Sequence, residues 1–141
     1  MLSRYRARKK RGQITTDFGT PEAAAYAVAI QVDGKIIVAG YSEPAGLFAD
    51  FTIVRYDPDG KLDTTFGAGG SVTTDFTGYS DIASAVAIQA DGKIVAAGQS
   101  QWPGSTIRFG LARYNSDGSL DVGFDGDGLL TTDFTSGRDR A

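Results

Sequence analysis

The chain has 141 residues, with no cysteine and no histidine among them. These absences exclude disulfides, thiol catalysis, Cys/His zinc sites and every catalytic triad that uses an imidazole base. Six of the 14 basic residues lie within the first 12 positions, and the chain from residue 13 onward carries a net charge of −9, so the body of the protein repels nucleic acid and anionic lipid.

No apolar run approaches the roughly 18 residues that span a bilayer. The charged segment 1–11 is not followed by the roughly 7–15 apolar residues of a secretory signal. We therefore expect no membrane span and find no export signal in this sequence, which leaves the cellular compartment unknown.

An internal repeat of 58 residues organises the chain. The tetrapeptide Thr-Thr-Asp-Phe occurs at 15–18, 73–76 and 131–134, and residues 13–70 align with 71–128 without a gap at 27 identical positions of 58. This periodicity divides the chain into a basic lead at 1–12, repeat 1 at 13–70, repeat 2 at 71–128 and the start of a third repeat at 129–141, all within one structural domain.

The basic lead contains Leu2-Ser3-Arg4-Tyr5, which matches residues 111–114 of the second repeat. We interpret 2–5 as a strand remnant, followed by a shortened connection at 8–11, so that the chain begins in the middle of a repeat. The lead has few aromatic residues and belongs to an acidic molecule, which favours a solvated tail or loop over a nucleic-acid contact.

Each repeat contains four short apolar or alternating runs, which are typical of strands. We predict strand A at about 25–31, B at about 35–42, C at about 51–56 and D at about 71–76, with counterparts 58 residues later. Glycine, at roughly twice its usual ~7%, indicates many turns between them. The Asp-Gly pairs predict structural turns, with a two-residue turn between A and B: Asp33-Gly34, Asp59-Gly60, Asp91-Gly92 and Asp117-Gly118.

The strand patterns predict an all-β protein with nine or ten strands and almost no helix. Strands A and B are apolar on both faces, as in strands covered on both sides, whereas strand D alternates apolar and polar residues. This order is typical of a β-propeller blade, with A nearest the axis and D at the rim. We predict four-stranded antiparallel blades, two complete and one partial at the N-terminus.

The repeated residues resemble the bacterial delta-60 repeat, a β-propeller-type repeat, and more loosely the NHL propeller repeat. The resemblance rests on Ala-x-Ala-Ile-Gln-x-Asp-Gly-Lys-Ile and on Phe-x-x-x-Arg-Tyr-x-x-Asp-Gly-x-Leu-Asp-x-x-Phe, and it covers residues 13–134. It implies a propeller scaffold whose roles are mostly binding or unknown, and an extracellular or cell-surface setting.

Two acidic segments invite a calcium interpretation, Asp57-Pro58-Asp59-Gly60 and 125–128. Their spacing does not match an EF-hand loop, so we interpret both as structural turns and predict neither a metal nor a cofactor there. Arg55 and Arg113 are predicted to pack their stems on the core and to pair with Asp63 and Asp121.

A catalytic site would have to use carboxylates, Lys or Tyr, with Glu22 and Glu43 joining the aspartates as candidate bases. No spacing favours such a site, so we expect a non-enzymatic module that binds a partner or acts as a scaffold. A hydrolase or lyase that uses loop carboxylates is one alternative, and a calcium-stabilised surface protein is another.

The expected partners are further copies of the chain or additional blades of a larger protein, because two blades leave apolar sheet faces without a neighbour. A protein or carbohydrate ligand is expected at the loops that differ between the repeats, the B to C and D to A connections. Five residues of these loops form the predicted binding set: Glu43, Phe48, Tyr79, Trp102 and Arg108.

Overall fold

Ten β-strands and one single-turn 3-10 helix form the secondary structure of residues 6–10 and 12–134, the part of the chain that this computed structural model describes. The strands are β1 Arg6–Lys10, β2 Gln13–Asp17, β3 Glu22–Ile30, β4 Ile36–Glu43, β5 Asp50–Tyr56, β6 Ser71–Thr74, β7 Asp81–Ile88, β8 Ile94–Trp102, β9 Thr106–Tyr114 and β10 Leu129–Thr132. The 3-10 turn, Pro103–Ser105, joins β8 to β9. The all-β prediction and the predicted number of strands are confirmed for these residues.

The strands form two four-stranded antiparallel sheets and one hairpin. Blade 1 has the order β3-β4-β5-β6, blade 2 has the equivalent order β7-β8-β9-β10, and the lead hairpin consists of β1 and β2. Each four-stranded sheet takes its fourth strand from the start of the next sequence repeat. The predicted architecture of two complete blades and a partial N-terminal one is therefore confirmed.

The lead hairpin corrects part of the sequence interpretation. Residues 2–5, the predicted strand remnant, lie outside the described residues. The strand that pairs with β2 is β1, in which Arg8, Lys9 and Lys10 face Thr15, Ile14 and Gln13. These basic residues therefore lie in a strand and not in a loop, because Gly12 allows a tight turn directly after them.

Four hairpin loops have the same form: two join β3 to β4 and β7 to β8, and two follow β5 and β9 and lead into isolated bridges. In the first, the Gln31 amide donates to the Lys35 carbonyl at 2.8 Å and the Gly34 amide donates back to the Gln31 carbonyl at 2.9 Å. The loop therefore has three residues, one more than predicted, and the last is a glycine with φ near +84°. The same bonds recur around Gly60, Gly92 and Gly118.

The aspartate of each Asp-Gly pair stabilises its loop. The Oδ1 atoms of Asp33, Asp59, Asp91 and Asp117 each accept a hydrogen bond from the backbone amide two residues later, at 2.9–3.1 Å. This Asx-type bond explains why Asp recurs before the glycine.

The core lies between blade 1 and blade 2. Each blade contributes one sheet face to the core, and the two faces are not equivalent in the two repeats. The residues are Ile37, Ala39, Phe51 and Ile53 from blade 1 and Ile94, Ala96, Ala112 and Tyr114 from blade 2. All eight residues are fully buried. A hydrogen bond between Thr74 Oγ1 and Tyr114 Oη, 2.7 Å long and buried, crosses this interface.

The lead hairpin packs on blade 1 in the equivalent way, since Thr16 Oγ1 and Tyr56 Oη form the same bond at 2.5 Å. Among the residues that the structure describes, the hairpin has no counterparts of β3 and β4, and a cavity of about 420 Å³ lies beside it, lined by Ile14, Thr16, Phe18, Val38, Val54 and Tyr56 among others. For the same reason β3 is not covered on both faces as its sequence suggests: Tyr26, Val28 and Ile30 are 57–63% exposed. Within the described residues, no helix has the length and apolar character needed to cross a membrane.

Candidate binding surface

Phe48 and Tyr79 form an aromatic pair where blade 1 meets blade 2. Phe48 lies in the connection between β4 and β5, and Tyr79 lies in the connection between β6 and β7. Their ring centroids are 5.4 Å apart with an interplanar angle of 31°. Half of the Phe48 surface is exposed and Leu47 beside it is 64% exposed, so the pair presents an apolar surface to solvent.

Trp102 and Arg108 form a second pair at the same edge of blade 2. The sequence places both in a loop at 101–108, but β8 and β9 extend until Trp102 faces Thr106, and only the 3-10 turn remains as a connection. The Arg108 guanidinium carbon lies 4.0 Å from the Trp102 ring centroid, within the range of a cation–π contact. Arg108 Nη2 is also 3.3 Å from Asp133 Oδ2.

Two hydrogen bonds join the two pairs into one aromatic surface, defined here as Phe48, Tyr79, Trp102 and Arg108. The Thr77 hydroxyl donates to the Gln101 carbonyl at 2.7 Å, and the Gln101 amide donates to the Ser80 carbonyl at 2.9 Å. The connection that carries Tyr79 is thereby held against the residue that precedes Trp102.

Glu43, the fifth predicted residue, lies in a different group. It ends β4 directly opposite Glu22, whose Oε1 accepts a hydrogen bond from Tyr41 Oη at 2.7 Å. The hydrogen bond to Glu22, together with burial and the charges of Glu22 and Glu43, raises the pKa of Tyr41 to about 12. Tyr26 stacks on Tyr41, with ring centroids 6.1 Å apart, so Glu43 belongs with these tyrosines.

An acidic cluster beneath the aromatic surface was missed by the sequence analysis. Asp50 opens β5, Asp75 follows β6 and Asp81 opens β7, and one carboxylate oxygen of each lies within 4.8 Å of the others. Asp81 is fully buried, and its Oδ2 accepts a hydrogen bond from the Phe76 amide at 2.8 Å. The repeat alignment contained one signal of this cluster, because Asp50 occupies the position at which repeat 2 has Arg108.

Burial is the main cause of the altered acidity in this cluster. It raises the pKa of Asp81 to about 6, although the Phe76 amide acts in the opposite direction, and the charges of Asp75 and Asp50 add to the rise. Burial and the charge of Asp75 also raise the pKa of Asp50. The cluster thus places two further negative charges, one of them exposed, beside the buried carboxylate of Asp81.

The predicted arginine pairs are confirmed. Arg55 Nε and Arg113 Nε each lie 2.7 Å from an Oδ2 atom, that of Asp63 and that of Asp121 respectively. Each guanidinium also lies over a phenylalanine ring, Phe66 or Phe124, at 4.5 and 4.7 Å. Both arginines are therefore held in the framework by the contacts that the sequence predicted.

Comparison with known proteins agrees with this architecture. A family model described as "Domain of unknown function (DUF5122) beta-propeller" matches residues 31–66 and 89–124, which together make up half of the chain. No curated protein matches the chain. The two matched segments are equivalent parts of the two repeats, and each runs from the first hairpin loop to the phenylalanine under the arginine, Phe66 or Phe124. The chain belongs to this β-propeller family.

Proposed function

We propose that the chain is a non-enzymatic β-propeller-type module that binds a protein or carbohydrate partner through the aromatic surface. The observation that carries this proposal is the exposed Phe48 ring, held against Tyr79 at the edge where the connections of the two repeats differ. Aromatic and arginine side chains held at a surface dominate the energetics of many interfaces, because they bury a large area at little conformational cost.

The polar groups of the second pair also support a binding role. Trp102 Nε1 and Arg108 Nε are both buried and have no hydrogen-bond partner. Unsatisfied buried donors are costly, so a partner whose oxygen acceptors reach them by displacing one of these two side chains would gain their hydrogen bonds. Hydroxyl or carbonyl oxygens of a carbohydrate or a peptide have the required chemistry.

A finer assignment of the repeat belongs to the same proposal. We propose that the repeat is of the bacterial delta-60 type, similar more loosely to NHL, on the strength of the 58-residue period and the repeated Asp-Gly-Lys-Ile and Phe-x-x-x-Arg-Tyr segments. In this proposal, further blades come from other copies of the chain or from a larger protein.

Binding to a glycan array, together with capture of protein partners identified by mass spectrometry, tests the proposed surface. We expect Phe48→Ala and Trp102→Ala to reduce the captured signal at least about tenfold, the loss that a hot-spot residue of 1–2 kcal/mol produces. Val122→Ala is the matched control, since Val122 is 70% exposed in a loop outside the surface. The proposal is wrong if the two aromatic variants and the control retain the same ligands with the same signal.

Melting temperatures decide how the variants are interpreted. Phe48 is half exposed, so Phe48→Ala should leave the melting temperature nearly unchanged. A sharp fall in the melting temperature of this variant would show that the ring is part of the core and would contradict its assignment to a binding surface.

A further inference from the structure

We propose that Asp50, Asp75 and Asp81 bind one calcium ion at the junction between blade 1 and blade 2. Three carboxylate oxygens within 4.8 Å of one another form the geometric basis of the site. Calcium is bound by six to eight oxygen ligands, among which mono- and bidentate aspartates are common. Three carboxylates held this close repel one another, and a divalent cation between them converts that repulsion into attraction.

Two buried oxygens at this place, one of them on Asp81 itself, form no hydrogen bond that meets ordinary geometry. Asp81 Oδ1 and Ser100 Oγ are both buried and unpaired, and both residues have no exposed surface. Asp81 faces Ser100 across the β7-β8 pair, so the two side chains lie on the same face of the sheet. The Ser100 hydroxyl lies close enough to the Asp81 carboxylate to offset part of the rise in the Asp81 pKa, which places the hydroxyl at the same site.

The first repeat shows why the Ser100 hydroxyl lacks a partner. The equivalent residue there is Ser42, whose Oγ forms a buried hydrogen bond of 2.7 Å with Thr52 Oγ1. Gly110 replaces Thr52 in the second repeat, and Asp81 stands where the first repeat has Ala23. The second repeat has therefore lost a hydroxyl partner and gained a buried carboxylate, which leaves oxygen atoms available for a cation.

The repeated aspartate supplies an internal comparison. Its three copies are Asp17, Asp75 and Asp133. Asp17 faces Arg6 in the lead hairpin, and Asp133 forms its 3.3 Å ion pair with Arg108. In blade 1, the residue opposite Asp75, equivalent to Arg108 in blade 2, is Asp50, which is itself negatively charged. In blade 2 a positively charged side chain pairs with this aspartate, and at the equivalent place in blade 1 we assign that positive charge to the bound calcium ion.

The position of the site gives it a structural role. Asp50 and Asp75 belong to blade 1, whereas Asp81 begins blade 2, and the Asp81 amide donates to the Ala49 carbonyl at 2.7 Å. An ion held by all three carboxylates links the two sheets and fixes the connections that carry Phe48 and Tyr79.

Isothermal titration of the full chain with calcium chloride tests the proposal. We expect one calcium ion per chain and a melting temperature that falls on addition of EDTA. Asp50→Asn should weaken calcium binding at least about tenfold, because removing even a group that only supports a metal ligand typically costs about 10–100-fold in affinity. Asp125→Asn is the matched control, because Asp125 is an exposed loop aspartate at positive φ, which Asn tolerates.

A second variant keeps the test decisive if Asp50→Asn is poorly folded. Asp50→Arg recreates the pairing of Arg108 with Asp133, so we expect it to fold, to lose calcium binding and to melt at a temperature that EDTA does not change. The proposal is overturned if the wild-type chain binds calcium no more tightly than about 10⁻³ M, the weak end for extracellular calcium modules. It is equally overturned if magnesium binds in preference to calcium, or if Asp50→Arg binds calcium as well as the wild type.

Discussion

Asp63 shows how a single buried carboxylate holds several parts of blade 1 together. It accepts hydrogen bonds from Arg55 Nε at 2.7 Å and Lys35 Nζ at 2.8 Å, and Thr65 donates to its other oxygen through both amide and hydroxyl. Arg55 Nη1 in turn donates to the Ser116 carbonyl at 2.5 Å, in a hairpin loop of blade 2. The pair therefore links the end of the β3-β4 loop, strand β5 and the second blade.

The acidity of Asp63 makes this pair sensitive to low pH. Burial by itself raises the pKa, but hydrogen bonds from Lys35 and Thr65 and the charge of Arg55 outweigh burial and hold the pKa of Asp63 well below its usual range. Because the folded-state pKa is lower than the unfolded value of about 3.9, the stabilisation is complete above about pH 5 and is lost as the pH falls toward the folded-state pKa.

Replacing this carboxylate is expected to remove that pH dependence. Asp63→Asn should lower the free energy of unfolding at pH 7 by roughly 3 kcal/mol, because Arg55 is left buried without its counter-charge. In urea titrations between about pH 6 and pH 3, the unfolding free energy should fall less steeply for the variant than for the wild type. Asp33→Asn, at an exposed turn, should follow the wild type; equal slopes for Asp63→Asn and wild type would contradict the assignment.

At the scale of the strand, a bulge in the first strand of each blade determines where glycine is required. The β3-β4 register shifts between Ala25 and Ala27, and the β7-β8 register shifts between Ala83 and Ala85. The bulge brings a backbone carbonyl over the neighbouring strand: a Cβ atom on Gly98 would lie 1.9 Å from the Ile82 oxygen. Glycine is needed there because the backbone cannot move aside without breaking the sheet.

Gly98→Ala should therefore destabilise the protein by more than about 2 kcal/mol, within the usual range for overpacking a close contact. Gly110→Ala is a matched substitution in the adjacent strand, where the added Cβ atom meets Phe76 and Ser100 at an ordinary 3.4 Å. We expect it to change stability much less. Thermal unfolding of the two variants measures the difference, and equal losses would show that the bulge does not cause the requirement for glycine.

The sequence was sufficient to locate the four strands of each repeat, since Asp-Gly pairs and alternating residues are local signals that the second copy reinforces. The predicted length of the first hairpin loop was one residue too short, because the hydrogen bond between Gln31 and Lys35 that sets the length depends on strand pairing. The extension of β8 to Trp102 depends on the same kind of pairing. The acidic cluster was missed because its members, Asp50, Asp75 and Asp81, come together only when the two sheets pack.

For the whole molecule, the main feature is the difference between two equivalent sheet faces. In blade 1, Ile37, Ala39 and Ile53 are fully buried against blade 2. Their equivalents in blade 2, Val95, Ala97 and Leu111, are half-buried. The same face carries Thr132, the counterpart of the two threonines that bond to a tyrosine of the following sheet. This face has the chemistry of a blade interface, and residues 6–10 and 12–134 place no further sheet against it.

We therefore expect the chain to self-associate at micromolar concentration through this face. Multi-angle light scattering should give a mass of more than one chain, and Leu111→Arg should shift the mass toward the monomer, because a charge placed in an apolar contact is costly to bury. Val122→Arg adds the same charge in an exposed loop and should leave the mass unchanged. A well-folded wild-type monomer at this concentration would contradict the prediction.

The borrowed fourth strand has a consequence for how the gene can change length. Each sheet is completed by residues that begin the next 58-residue unit, so the boundaries of the unit and of the sheet do not coincide. An in-frame duplication of 58 residues regenerates an intact four-stranded sheet wherever its breakpoints fall. Unequal recombination between repeats can therefore add or remove whole blades without requiring a particular crossover point.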